Sequence, residues 1–408
     1  MSLLDRLDQA GLRRGGLLAL TVAGHGDRPV AGLAFDGGQW PITALDPAAV
    51  AAVDTDLRPR WVCWSSETAL ELTRAGVRLT TGWDLVAVHR LLFGGWRADP
   101  ARIWASLHEL SAESLPGTGQ LDLLGAHGEE GVDPEEPVRP DGHLRPEWTG
   151  GGWRRDPDRC ARWAGIALAA CRLQQRRLAL VDAAGHPMAS AHAESTAELL
   201  CAELSHDGLP IDLARARELI ASFVGPPPVD AEDAARQRER RDAAVLRLVP
   251  TAEGTDLRNP GQVRAMLARV GIEVPDTRSW RLENFRGAHP VIEALLGWRK
   301  AERIATTYGY EWLERNVGAD GRLRGAWSGS DGAAGRMTAS AGLHNLLADL
   351  RPAVAAGDGQ VFVRADLGQI EPRVLAAVSG DRALGRASAE DDLSTPIAAK
   401  LRVERPVA

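Results

Sequence analysis

Asp366, Gln369, Glu371 and Arg373 stand close together near the C-terminal end of the sequence. A carboxylate such as Asp366 at the exposed end of a strand could hold a hard divalent cation, which takes oxygen ligands on a rigid support. The elements that must position them are legible on either side. Val361-Phe362-Val363-Arg364-Ala365 is mostly apolar and predicts a short, largely buried strand, which Gly368 breaks. Pro372 suits the first turn of a helix, and Val374-Leu375-Ala376-Ala377-Val378 continues that helix until Ser379-Gly380 stops it. The expected product is a strand with Asp366 at its exposed end, a turn offering backbone carbonyls, and a helix. An aspartate that merely caps the helix is the alternative on geometry alone.

The order of the residues is more specific than the geometry. Asp366-x-x-Gln369-Ile370-Glu371-x-Arg373-Val374-Leu375-Ala376 resembles motif A of the family A DNA polymerases, the bacterial DNA polymerase I type, usually read D-Y-S-Q-I-E-L-R. Upstream, Gly335-Arg336-Met337-Thr338-Ala339-Ser340, then Leu343-His344-Asn345-Leu346 and Arg351, resemble that family's T-G-R-L-S-S…N-L-Q-N-I-P-x-R segment. Leu367, Gly368 and Pro372 depart from the motif's Tyr, Ser and Leu, so the turn is built differently from the usual one.

The resemblance implies a set of roles. Phosphoryl transfer is mostly positioning and charge neutralisation, and polymerases use two metal ions for it. Asp366 is the implied ligand of Mg²⁺, with the Leu367 carbonyl as a second oxygen. Glu371 falls at the sugar gate that rejects ribonucleotides, and it also suits a helix N-terminus by charge. Glu371, Gln369 and Arg405 form the implied nucleotide-binding set. Arg336, Asn345 and Arg351 match positions lying against primer and template.

Composition bounds the reading. At 408 residues, with 44% hydrophobic and 25% charged residues, the chain has ample material for two or three globular domains. Among 48 Lys plus Arg only Lys300 and Lys400 are lysine, and the formal net charge is −7, so any nucleic-acid footprint must be local. Cys63, Cys160, Cys171 and Cys201 stand apart with no CxxC pair and read as small buried hydrophobes of a reducing compartment. No leader-like or membrane-spanning apolar run is found, so a cytoplasmic monomer is expected.

From the N-terminus, Leu17 to Ala23 and Val30 to Phe35 flank the turn-rich Gly24-His25-Gly26-Asp27 and predict a hairpin, with Trp40-Pro41-Ile42 as a third strand. Trp61 to Trp64 and Val77 to Leu79 predict further strands, a helix over Glu67 to Ala75 lies between them, and a second helix follows Trp83-Asp84. An α/β domain follows from this order. Its position and size resemble the 3′-to-5′ exonuclease domain of DNA polymerase I, an RNase H-like fold. That activity needs four acids holding two metals. The first strand carries none, Asp84 resembles the acid of the second motif or else caps a helix, and Ala164 stands where the third motif has its Asp. A retained fold with a dead proofreading site is implied. Residues 126–158 read as an exposed acidic Pro/Gly loop, followed by a helix over Arg159 to Arg177.

The domain boundary is placed just before Ala193, giving an exonuclease-like domain over 1–192 and a polymerase domain over 193–408. Asp207-Gly208…Ile211-Asp212 resembles the family's entry turn, and Asp212 is expected to cap a helix. A thumb over about 226–325 contains Asn259-Pro260, predicted to open a helix to about Val270. Val291, Leu295, Trp298, Ala301, Ala305, Tyr308 and Trp312 predict one long helix with an apolar stripe, with Arg299 and Arg303 on another face where thumb helices meet duplex backbone. A partial palm carries motif A over 361–381. Asp392 to Ala399 resembles the family's D-I-H-T-x-T-A segment, and Arg405 matches the first Arg of motif B.

The sequence is thus identified as α/β and α+β multidomain. It is expected to be a DNA polymerase by family, acting on primer-template DNA and dNTP with Mg²⁺ and lacking a 5′ nuclease domain. The second catalytic Asp and the remaining fingers fall outside the 408 residues, so this polypeptide by itself is expected not to extend a primer. The competing reading is a catalytically silent nucleic-acid-binding protein.

Overall fold

Alternating apolar residues with turn signals between them build the N-terminal sheet of the computed structural model. The model describes residues 1–24, 29–112, 115, 135–181, 186–329, 335–390 and 392–402. Strands β1 (Leu17–Ala23), β2 (Val30–Phe35), β3 (Gly38–Ile42), β4 (Arg60–Cys63) and β5 (Gly82–Asp84) form one sheet in the order β3-β2-β1-β4-β5. The first three strands pair antiparallel, Leu20 facing Leu33 and Leu33 facing Trp40. β4 and β5 then add in parallel, Leu18 facing Trp61 and Val62 facing Trp83. Parallel neighbours need crossovers, and the helices Pro47–Asp56 and Ser66–Arg74 supply them.

The strand predicted at 77–79 is not one. Val77 and Leu79 are buried in the core and Arg78 is held outward by Glu203 and Asp207, so the alternation is real. The backbone finds no ladder partner, however, and the Thr80 N–H donates to the Asp54 carboxylate instead. The ladder resumes at β5.

The long helix Pro157–Ala179 lies across β1, β2 and β3. Gly32 in β2 makes that approach possible, because a Cβ there would sit 2.1 Å from the Ala161 backbone nitrogen. Thr21 of β1 fastens the contact by donating to the Cys160 carbonyl at 2.6 Å. Residues 126–134 of the predicted acidic loop lie outside the described residues. From Glu135 onward the segment is packed rather than simply exposed: Trp148 is fully buried and Glu135 forms an ion pair with the buried Arg159 at 2.6 Å. Apolar and ionic anchoring overrides the Pro/Gly composition that suggested a loop.

The helix Pro187–Asp207 runs without a break through residue 193 and packs on the helix Ser66–Arg74 and on β5. Asp212 caps Leu213–Val224 and Asn259 caps Pro260–Ala268, as their side chains accept from first-turn N–H groups. The single helix predicted through 312 is broken into Pro290–Thr307 and Tyr310–Asn316. The Tyr308 ring packs edge-on to Trp312 at 5.4 Å, and its hydroxyl lies 3.1 Å and 2.8 Å from the carbonyls of Gly342 and Asn345. Those partners turn the chain at Gly309 although the apolar spacing continues.

The described chain divides into two compact units, Met1–Ala355 and Ala356–Ala408. In the second, the helix Ile370–Ser379 forms as predicted and ends at Gly380 with φ +66°. The strand predicted at 361–365 is absent: Val361 is 83% and Val363 91% exposed, with no regular structure. A strand is stable only where neighbours take up its N–H and C=O groups, and this unit contains no other strand among the described residues.

Candidate functional site

The motif-like residues of the second unit surround the start of the helix Ile370–Ser379. Asp366 is exposed on the extended stretch, and Leu367 beside it is exposed as well. Glu371 is exposed in the first helical turn, where the backbone dipole favours an acid. Pro372 falls in the same turn, where its missing N–H leaves no bond unmade.

Gln369 joins the two sides of this site. It adopts the left-handed conformation, φ +58°, which costs a non-glycine residue about 1 kcal/mol. Its side-chain amide donates to Asp392 Oδ1 at 2.8 Å and to Ser394 Oγ at 3.2 Å, and its Oε1 accepts from the Leu393 N–H at 2.8 Å. The helix start is thereby clasped to the start of the helix Ser394–Leu401. Arg373 adds a second tie through the carbonyls of Gly368, Ser388 and Glu390. A cavity of about 520 Å³ opens here, with Gln369, Glu371 and Ser394 on its wall.

The sequence pattern expected Gln369 to face a nucleotide, whereas its amide is occupied by this clasp. Spacing could not have revealed it, because the partners lie far along the chain, around the start of another helix. Arg405 lies outside the described residues.

The other expected contacts belong to the first unit. Arg336 is exposed beside the short ladder of Trp327–Ser328 with Thr338–Ala339. Asn345 is exposed while its carbonyl faces Tyr308, and Arg351 donates to the Leu346 carbonyl at 3.1 Å. Arg303 is exposed, 6.0 Å over the Tyr308 ring. Arg299 is half-buried and its guanidinium donates to the Thr277 carbonyl, so it ties the helix Pro290–Thr307 to the segment before it.

The acids of the N-terminal sheet tell a different story. β1 carries no carboxylate, and Ala164 is fully buried. Asp84 ends β5 and caps the helix Leu85–Phe93, accepting from the Ala87 N–H at 2.9 Å. Burial, then the neighbouring Glu198 carboxyl, push the Asp84 carboxyl well above the usual carboxylate range. Glu198 accepts in turn from the Gly329 N–H at 3.1 Å. A buried carboxyl whose ionised form is disfavoured and which caps a helix is a structural group rather than an open metal ligand. Glu198 sits in the helix Pro187–Asp207, whose residue pattern does not single it out. Burial pushes the thiols of Cys63 and Cys201, close to this pair, up to about 12. Among the described residues no group of three or more His, Cys, Asp or Glu is placed to hold a metal ion.

Comparison with known proteins finds likeness mainly in the C-terminal part of the chain. The family model for DNA polymerase family A matches residues 252–405. Over these residues the chain is similar to that family. A thermostable DNA polymerase I of Thermus filiformis is 36% identical over 132 residues, 30% of this chain and 16% of that protein. A thermostable DNA polymerase I of Thermus aquaticus is 34% identical over 112 residues, 26% of this chain and 14% of that one. The match thus spans about a sixth of these relatives' length. Among solved structures, the POL domain of Pol1 from M. smegmatis, in complex with DNA primer-template and dNTP, superposes with a TM-score of 0.64 at 19% identity. It covers 99% of this chain and 66% of that one, a likeness of fold. The matched segment contains Asp366, Glu371, Arg336, Asn345 and Arg351, as well as Arg299 and Arg303.

Proposed function

We propose that the chain serves template-directed DNA synthesis of the DNA polymerase I kind, acting on primer-template DNA and dNTP. One observation carries this reading. Within the segment matching family A, Asp366 and Glu371 stand exposed on either side of the turn that opens a helix, and the Gln369 clasp fixes that turn.

In this reading Asp366 and the Leu367 carbonyl are the oxygen donors offered to Mg²⁺. Their chemistry fits a hard cation, which keeps waters and takes one or two carboxylates plus substrate phosphates. Such an ion neutralises charge on the phosphates. Glu371 borders the sugar, Arg405 meets the triphosphate, and Arg336, Asn345, Arg351 and Arg303 lie along the DNA backbone. Arg299 supports the thumb from within. The N-terminal sheet is read as an RNase H-like exonuclease domain without proofreading, because Asp84 is committed to a helix cap and Ala164 offers no ligand.

The test uses the 408-residue polypeptide and a fluorescent primer-template hairpin, read by anisotropy across a salt series. Binding that weakens with salt is expected. Arg336→Ala and Arg303→Ala should each flatten the salt slope by about 0.9 per phosphate contact removed. No primer extension with Mg²⁺ and no digestion of single-stranded DNA is expected, since one motif A carboxylate is not a two-ion site. Failure to bind the hairpin at low salt would overturn the polymerase reading. Extension would overturn the one-carboxylate account, and digestion would restore the exonuclease.

A further inference from the structure

The helix Leu85–Phe93 ends at Gly94 and Gly95, both with positive φ (70° and 76°), and the tight turn they make projects Trp96 from the surface. Trp96 is 65% exposed and Phe93 42% exposed, unusual for large aromatic rings on a soluble surface. Each ring carries a guanidinium. Arg97 lies 4.9 Å over the Trp96 ring and Arg177 lies 5.7 Å over the Phe93 ring. Arg90 donates to the Trp96 carbonyl at 3.3 Å and braces the turn, and the buried His89 packs beneath Phe93 at 4.8 Å. Among the described residues the acids facing this edge are Asp99, near Arg102 at 3.8 Å, and Glu109, paired with Arg177 at 3.1 Å. Arg90, Arg97, Arg102 and Arg177 outweigh them, a local excess of positive charge in a chain of net charge −7.

We infer that the Phe93–Trp96 edge is a landing site for single-stranded nucleic acid. Exposed aromatic faces beside guanidiniums are what unpaired bases and their phosphates need together: every base has a π-face to stack, and the adjacent cation neutralises the backbone. A duplex hides its base faces, so it gains only the ionic part. A protein partner would use the rings but would leave the arginines to be matched by acids. The inference stands on this edge alone and does not depend on the polymerase reading, since the edge lies outside residues 252–405.

The test is anisotropy of the full chain with a fluorescein-labelled oligothymidylate of about 12 nucleotides, a length within the usual site sizes, alongside the primer-template hairpin. Trp96→Ala should weaken oligothymidylate binding about tenfold, the loss of one stacked base, and Trp96→Phe should restore most of it. Arg97→Ala should flatten the single-strand salt slope by about 0.7. Hairpin affinity should stay as in the parent for both Trp96 variants and should fall less than oligothymidylate affinity for Arg97→Ala. The inference is overturned if the parent does not bind oligothymidylate, if Trp96→Ala and Arg97→Ala both bind it as the parent does, or if either substitution weakens hairpin binding equally.

Discussion

Replacing Gln369 by alanine would open the clasp beside Asp366 and Glu371, and the structure sets the size of the effect. The amide makes bonds to Asp392 Oδ1, Ser394 Oγ and the Leu393 N–H, all partly buried. A net contribution of about 0.5 to 1.5 kcal/mol each, discounted for partial exposure, puts the loss near 2 kcal/mol. The helix Ile370–Ser379 keeps its own backbone bonds, so the loss should appear as local opening at the start of the helix Ser394–Leu401. Amide hydrogen exchange read by mass spectrometry on peptides spanning Gln369 to Thr395 is the assay. Exchange at Leu393 and Ser394 should speed up by about 30-fold, as about 2 kcal/mol implies. Gln369→Gly separates bonds from backbone: it loses the same bonds but relieves about 1 kcal/mol of left-handed strain, so its exchange should fall between parent and Gln369→Ala. Unchanged protection in Gln369→Ala, or a glycine variant that opens more than the alanine one, would refute the reasoning.

Three further outcomes follow from the first unit. Burial holds the His89 imidazole down at about 4, below its ordinary value near 6.5, so the unfolded chain binds the proton first and stability should fall as pH drops from about 6.5 through 4. His89→Leu should flatten that acid limb by about 2 kcal/mol in urea melts at pH 7 and pH 4.5. Asp84 carries the opposite sign. Its raised carboxyl contributes stability below the ordinary carboxylate range that is lost as pH rises through its folded value, so Asp84→Asn, which can still cap the helix, should raise the thermal midpoint at pH 8 more than at pH 4. Gly32→Ala would press a methyl group onto the helix Pro157–Ala179 at a backbone that cannot yield locally, and should lower stability by about 3 kcal/mol in denaturant titration; a loss below about 1 kcal/mol would mean the helix shifts freely.

Much of this was legible in the sequence where local rules and tertiary packing agree. The hairpin of β1 and β2, the caps at Asp212 and Asn259 and the end of a helix at Gly380 rest on residues whose preferred local conformation is the one adopted. Misreadings arose where a long-range partner decided. Val77 and Leu79 alternate like a strand but lack a ladder, Tyr308 turns its helix by bonding carbonyls far along the chain, and Trp148 draws a Pro/Gly-rich segment into the core. The candidate site shows the same division. The types and order of Asp366, Gln369 and Glu371 point to a family, but only coordinates reveal that Gln369 spends its amide on Asp392, Leu393 and Ser394, and that Asp84 faces a second carboxyl.

The bare stretch ahead of Asp366 matters for anyone handling the polypeptide. Val361, Phe362 and Val363 combine exposed β-branched and aromatic side chains with a backbone in no regular element, and Leu367, Val374 and Val378 add apolar surface nearby. A ribbon of that kind recruits any other extended chain it meets, including a second copy of itself. Concentrated solutions should therefore cloud more readily than dilute ones, and such turbidity would report on this ribbon before it reported on unfolding.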